Sequence, residues 1–326
     1  MKVAVVGLGF GELHIQSLLE IHEVDKIIIC DLNEDLLKKK AEEYNISEWT
    51  NSYEDILNDS EVKIITLAVP HFQHYDLLKK AVEAEKNIYC EKPLTINYQQ
   101  GVEIYQKARE KGIKLTVGYN MRYYEQYTKA FELINENIIG DIFMVECYAY
   151  ADASGMKGFR LSKEKAGGGC LIDSGAHRLD LLRWLIGPVS SVYMLGGTFK
   201  IDEMDGEDTA VVSLKFKDNI IGVLNCSWGV KVPDWDEGMK IYGTKGTLKI
   251  WDHDLSLSWR NNAGEEQIFK YTTTYENTIK LSLRDFIKSI KQNDFSIDRE
   301  KVLDSLKIID SAYKSFAENK IIKIYY

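Results

Sequence analysis

The sequence predicts a doubly wound parallel α/β domain over residues 1–120 and an α+β domain with a largely antiparallel sheet over residues 121–326. Three observations lead there. Short apolar runs alternate with helix-spaced segments through the first third of the chain. Beyond residue 120 the pattern changes to strand after strand, bracketed by helices. The length, 326 residues, is that of two domains at ~150 residues each.

The apolar runs at 2–6, 26–30, 63–68, 87–90 and 114–117 read as buried strands. Helical spacing fills the intervals at 13–21, 36–44, 75–84 and 99–111. Right-handed crossovers between such strands give a parallel sheet covered on both faces. In the second part a helix at 124–137 stops at Gly140, and a strand follows at 142–150. A glycine-rich stretch leads to a helix at 171–186, closed by Gly187 and Pro188. Five or six strands are expected between 189 and 269, then helices at 277–292 and 299–319 and a last strand at 321–324. Trp228 and Trp235 flank a loop at 229–233.

The apolar content of 45% and charged content of 28% are those of a globular protein. The net charge of −9 disfavours a nucleic-acid partner, which requires a basic surface. No apolar run reaches ~18 residues, so no membrane span is expected. The start, MKVAVVGLGFGELH, reads as a strand feeding a turn rather than as a secretory signal. The five cysteines are widely spaced and form no CxxC, which argues against a zinc ribbon and a disulfide framework. A reduced, cytoplasmic setting is expected, with no metal.

Gly7-Leu8-Gly9-Phe10-Gly11 follows the first strand and opens a helix. A dinucleotide-binding turn needs that context, with the pyrophosphate on the helix N-terminus. The usual third glycine would stand at Glu12, whereas Gly11 lies one position early, which leaves the close helix–strand contact open. Asp31 ends the second strand, where an acid hydrogen-bonds the ribose hydroxyls of NAD. Leu32 and Asn33 follow, with no arginine for a 2′-phosphate, so NAD is expected in preference to NADP. Val69 and Pro70, at the end of the third long strand, form a second cofactor edge. His74 either lines that edge or makes a local bond at a helix start.

Glu91-Lys92-Pro93 sits at the end of another strand, where ligands of open parallel sheets bind. Pro93 is a candidate for a cis bond. In the second domain the triple glycine 167–169 is expected to let a loop approach a ligand closely. Asp173, His177 and Asp180 then stack on one helical face, next to a stripe of Ile172, Ala176, Leu179 and Ile186. Either the three polar groups face a ligand, or the aspartate complements the helix dipole and the histidine is satisfied within the core.

Gly7-x-Gly9, Glu91-Lys92-Pro93, Gly118-Tyr119-Asn120-x-Arg122 and GGGxxxDxGxHxxD at 167–180 occur in this order. In this the chain resembles the Gfo/Idh/MocA oxidoreductases, and Phe159-Arg160 is similar to their aromatic–arginine pair. The resemblance implies an N-terminal Rossmann domain and a C-terminal domain with a large, open, mostly antiparallel sheet. It implies hydride transfer between NAD and a secondary alcohol or ketone of a sugar, nucleotide-sugar or cyclitol. Catalysis would fall to Lys92, Asp173 and His177, with either Lys92 or His177 moving the proton. Asn120, Arg122 and Arg160 would line the substrate side with Asp173 and His177. Gly7, Leu8, Gly9, Phe10, Gly11, Asp31, Leu32, Val69, Pro70, His74, Glu91 and Lys92 would bind the cofactor. The open sheet would join copies into a homodimer or homotetramer. A catalytically silent dinucleotide sensor and an NAD-using sugar lyase or hydrolase are the alternatives.

Overall fold

The structure, a computed structural model, describes residues 1–232, 235–294 and 300–326. The last residue of the loop expected at 229–233 and the first of the helix expected at 299–319 lie outside the described residues. The chain forms two compact units: Met1–Asn120 with Tyr275–Leu303, and Met121–Thr274 with Asp304–Tyr326. No helix among the described residues is long and apolar enough to cross a membrane.

The first unit runs β1 (Lys2–Val6), α1 (Gly11–Leu19), β2 (Lys26–Cys30), α2 (Glu34–Glu43), β3 (Glu48–Thr50), α3 (Tyr53–Asn58), β4 (Val62–Leu67), α4 (His71–Glu83), β5 (Asn87–Cys90), α5 (Tyr98–Glu110) and β6 (Leu115–Val117). Its strands are all parallel, in the order β3-β2-β1-β4-β5-β6. The order reverses on either side of β1, so the carboxyl ends of β1 and β4 flank a topological switch point, where such sheets bind ligands. The Rossmann fold expected from the sequence is present. The sequence pattern passed over β3 and α3, which are too short to show a period.

The second unit begins with α6 (Glu125–Asn135), β7 (Ile142–Tyr150), the single turn α7 (Lys163–Ala166) and α8 (Cys170–Leu185). Strands β8 (Val189–Gly197), β9 (Thr209–Phe216), β10 (Ile221–Ser227), β11 (Asp236–Gly243), β12 (Gly246–Trp251), β13 (Ser256–Asn261) and β14 (Glu266–Lys270) follow. That is one or two more than the pattern suggested. With β7 and a last strand, β15 (Ile322–Lys323), they form one nine-stranded sheet, β14-β13-β12-β11-β7-β10-β9-β8-β15, in which, among the described residues, only the β7–β10 pairing is parallel. Alternation is plain in β9, where Ala210, Val212, Leu214 and Phe216 are buried and the residues between face out. Helix α8 packs on β7, β9 and β10. Beside it, packed on β8, lies α10 (Asp304–Glu318), which leads to β15.

Helix α9 (Tyr275–Lys291) departs from the division read in the sequence, which placed it with the second domain. Its stripe of Ile279, Leu283, Phe286 and Ile287 joins Val3, Val5, Ile15, Leu18 and Tyr89 in the core of the first unit. The Tyr89 hydroxyl donates to Ser282 Oγ at 3.0 Å, and Lys114 Nζ donates to the Ser289 carbonyl. A helical stripe records that a helix is amphipathic, but not which sheet it will cover.

Candidate functional site

The β1–α1 turn carries the first group of expected residues. Gly7 has φ +86°, and a Cβ there would stand 2.6 Å from the Ala68 carbonyl oxygen, so only glycine fits. A Cβ on Gly9 would meet nothing within 4 Å, so the backbone faces open space at that point. No side chain caps the N-terminus of α1, which leaves its first N–H groups and positive dipole end available to a diphosphate. These features fit NAD. Gly11 supplies the close packing in doubt from the sequence: its Cβ would lie 3.0 Å from Val5 Cγ1, so α1 rests directly on β1.

Glu12 does not face the turn as an uncompensated charge. Lys40 Nζ donates to Glu12 Oε1 at 2.6 Å, and the Tyr44 hydroxyl donates to the same oxygen at 2.7 Å. The two bonds hold the Glu12 carboxyl below the usual carboxylate range against the opposing effect of burial. Asp31 ties the second strand to the turn. Its Oδ2 accepts the Leu8 N–H at 2.7 Å and its Oδ1 accepts the Asn33 N–H at 2.9 Å. A carboxylate has about four acceptor positions, so ribose hydroxyls can still be bound. Asn33 caps α2, and Leu32 beside it is 82% exposed.

Pro70 precedes α4, and its neighbour His71 is buried. His74 is fully enclosed, with Nδ1 2.7 Å from the Pro93 carbonyl and Nε2 2.9 Å from the Val69 carbonyl. Burial pushes its pKa down, and the two carbonyls oppose that shift. The geometry is that of the local bond, because an enclosed ring engaged at both nitrogens has no edge left for a cofactor. His74 instead links two backbone segments, Val69 and Pro93. Glu91 is buried and Lys92 half-buried, and the Lys92–Pro93 bond is cis.

The glycines at 168–169 serve the protein's own packing, which corrects the expectation of a close approach to ligand. A Cβ on Gly168 would stand 2.0 Å from the Tyr313 hydroxyl oxygen, and one on Gly169 would stand 1.9 Å from the Glu207 carbonyl oxygen. Glu207 then caps α8 from a distant part of the chain. Its carbonyl accepts the Cys170 N–H at 2.8 Å, and its Oε1 accepts the Leu171 N–H at 3.0 Å and the Tyr313 hydroxyl at 2.9 Å. Desolvation raises the Glu207 pKa despite these bonds.

Helix α8 is held on its other side by Arg178, which is wholly buried. Its guanidinium lies 2.6 Å from Asp252 Oδ2, donates to the Tyr127 hydroxyl at 2.7 Å and pairs with Glu237. On the face read from the sequence, Asp173 and His177 are each 6% exposed. Arg160 Nε donates to Asp173 Oδ2. Asp180, one turn further on, is engaged by Arg122 through both carboxylate oxygens. Burial raises the Asp180 pKa, with Arg122 opposing. Arg122 therefore grips a buried acid of its own unit, and Asn120 in the first unit donates its amide to Thr278 Oγ1 at 2.7 Å. Both expected substrate residues have partners within the protein. His14, Glu207, Tyr313, Arg178 and Thr278 were not singled out from the sequence, where each is an isolated residue far along the chain from its partner.

Residues 1–119 match the family described as an oxidoreductase family with an NAD-binding Rossmann fold, and residues 127–249 match the Gfo/Idh/MocA C-terminal domain. The chain belongs to the Gfo/Idh/MocA family. It is an oxidoreductase with an NAD-binding domain, as the ordered motifs implied. Myo-inositol 2-dehydrogenase of Thermotoga maritima is 24% identical over 334 residues, covering 99% of this chain and 98% of that protein. The 2,7-anhydro-N-acetylneuraminate hydratase of Escherichia coli is 26% identical over 288 residues, covering 85% and 74%. Among solved structures, levoglucosan dehydrogenase in complex with NADH and levoglucosan superposes with a TM-score of 0.92 at 21% identity, over 99% of each chain. At that identity the likeness establishes the fold.

Proposed function

We propose that the protein oxidises a secondary alcohol of a cyclitol or sugar with NAD, or reduces the corresponding ketone. Asp173 and His177 carry this reading: two polar groups, one turn apart, nearly buried on a helix whose neighbouring positions are apolar core. Oxidising a carbinol removes a hydride from carbon and a proton from oxygen. NAD, when bound, supplies the hydride acceptor. Gly7, Leu8, Gly9, Phe10 and Gly11 would hold its diphosphate, Asp31 and Leu32 its adenosine ribose, and Val69, Pro70, Glu91 and Lys92 its far edge.

His177, as neutral imidazole, takes the hydroxyl proton, a contribution of about 10²–10⁴ in rate. The Lys92 ammonium donates a hydrogen bond to the same oxygen and stabilises its developing negative charge. Asp173, held by Arg160, accepts a substrate hydroxyl or orients the imidazole. In the reverse direction His177 returns the proton and Lys92 polarises the carbonyl.

A second reading is the NAD-using lyase or hydrolase, in which a sugar is oxidised and then reduced again while a C–O bond breaks, with no net consumption of NAD; the similarity to a protein named as a hydratase favours it. A panel of cyclitols, sugars and their keto forms, assayed with NAD(H) and NADP(H), separates the two. Net formation or loss of reduced cofactor supports the dehydrogenase. Product formed without it supports the second reading.

We also infer a homo-oligomer formed through the outer face of the nine-stranded sheet. Leu195 and Val211 are register partners and are 56% and 39% exposed, and Ile221 is 54% exposed. Light scattering reads the mass, and a monomer at micromolar concentration would contradict the inference. The five free, buried cysteines suit a reducing cytoplasm.

A further inference from the structure

We propose that His14 is a positioning residue for Lys92, acting through the carboxylate of Glu91. The inference rests on the reading of Lys92 as a group beside the cofactor. His14 lies on α1, outside every motif singled out in the sequence, and is fully buried. Its Nε2 stands 3.0 Å from Glu91 Oε1, while its buried Nδ1 has no partner among the described residues. The proton therefore sits on Nε2 and is donated to the carboxylate, a charge-assisted bond.

The surroundings leave this pair little freedom. The His14 ring meets Tyr89 edge-on at 5.5 Å and Phe10 edge-on at 5.9 Å, which blocks its rotation. The same oxygen is crowded by Gly118, where a Cβ would come within 2.7 Å of Glu91 Oε1. The carboxylate is thus confined by an imidazole and a bare backbone.

Lys92 follows Glu91 directly. After it comes Pro93, whose carbonyl faces the second buried imidazole, His74, at 2.7 Å. The residues on both sides of Lys92 are therefore held by buried histidines, one through a side chain and one through the backbone. A polar tether is a costly way to fill a core, since an apolar pair of the same shape would avoid the desolvation of a carboxylate. What the tether adds is direction: Glu91 can occupy one place only, and the peptide that starts Lys92 is fixed with it.

The test reads Lys92 itself. Reductive methylation with ¹³C-formaldehyde gives each lysine a dimethylammonium NMR signal, and Lys92→Arg identifies the one from Lys92. Saturating NADH is expected to shift that signal in the wild-type protein. A wild-type signal that ignores NADH removes Lys92 from the cofactor's surroundings and overturns the reading beneath this inference. Where the wild type responds, His14→Leu is expected to lose most of the shift. His14→Gln, whose amide can still donate to Glu91, is expected to keep most of it. A full shift in His14→Leu, or equal losses in both variants, overturns the positioning role. If His14→Leu does not fold, Glu91→Gln weakens the same bond from the other end: a reduced shift supports the proposal and a full shift overturns it.

Discussion

The hydroxyl of Tyr313 occupies the space that a side chain on Gly168 would need, 2.0 Å from the position of its Cβ. Gly168 also has φ +153°, a backbone conformation that side chains disfavour. Gly168→Ala is therefore expected to destabilise the protein by about 2–4 kcal/mol, from overpacking and backbone strain together. Gly155, where a Cβ meets nothing within 4 Å, is the internal control, and Gly155→Ala should change stability by no more than ~0.5 kcal/mol. Urea denaturation of the two variants checks this, and similar losses would mean that the crowding at Gly168 is readily relieved.

Asp31 ties the β1–α1 turn to the second strand, and in the proposed function its remaining acceptors would take the ribose hydroxyls. Hydrogen bonds to a charged group contribute about 1.5–3 kcal/mol each, so Asp31→Ala is expected to weaken NADH at least tenfold. NADPH, whose 2′-phosphate the carboxylate repels, should weaken less. Fluorescence titration with each cofactor measures the difference. Equal losses would undercut the preference for NAD.

The Glu12–Lys40 pair has a pH signature. The Glu12 pKa is lowered by its bonds from Lys40 and Tyr44, so its stabilising effect is present above the ordinary carboxylate pKa and is lost as pH falls through the lowered folded value. The Lys40 pKa is raised, chiefly by its bonds to Glu12 and Glu43, so that effect persists well above neutrality and is lost only as pH rises through the folded value. Glu12→Gln should cost about 0.5–1 kcal/mol near neutral pH, because the pair is partly exposed. The deficit should shrink towards zero in acid. Melting temperatures of both proteins across that range test the sign, and a constant deficit would place the effect elsewhere.

His177→Ala is expected to lower turnover at least ~10²-fold on any substrate the panel identifies, with NADH affinity close to wild type. Unchanged turnover would remove His177 from the mechanism.

The parallel sheet was largely legible because its longer strands and crossover helices carry their own local signals, from the apolar run of β1 to the stripe of α5, whereas β3 and α3 are too short to carry one. The attachment of α9 was not, since Ile279, Leu283 and Phe286 show an amphipathic helix without naming its partner. Asp173, His177 and Lys92 stood out as polar groups at the ends or on the inner faces of elements. The tethers behind them did not. His14 meets Glu91 across 77 residues, and Tyr313 meets Glu207 across 106. Neither spacing has a local period. The triple glycine was visible, yet its purpose was misread, because a sequence shows where backbone can come close without showing what it comes close to.

Transfer of isotope tests the proposed function most directly. NADH carrying deuterium at the transferable position is incubated with the keto members of the panel, and the products are examined by mass spectrometry and NMR. Deuterium is expected on the carbinol carbon of a new secondary alcohol in the wild-type protein, with the transfer strongly diminished in His177→Ala. Deuterium that stays on the nicotinamide with every ketone offered, while NADH remains firmly bound, would contradict the assignment.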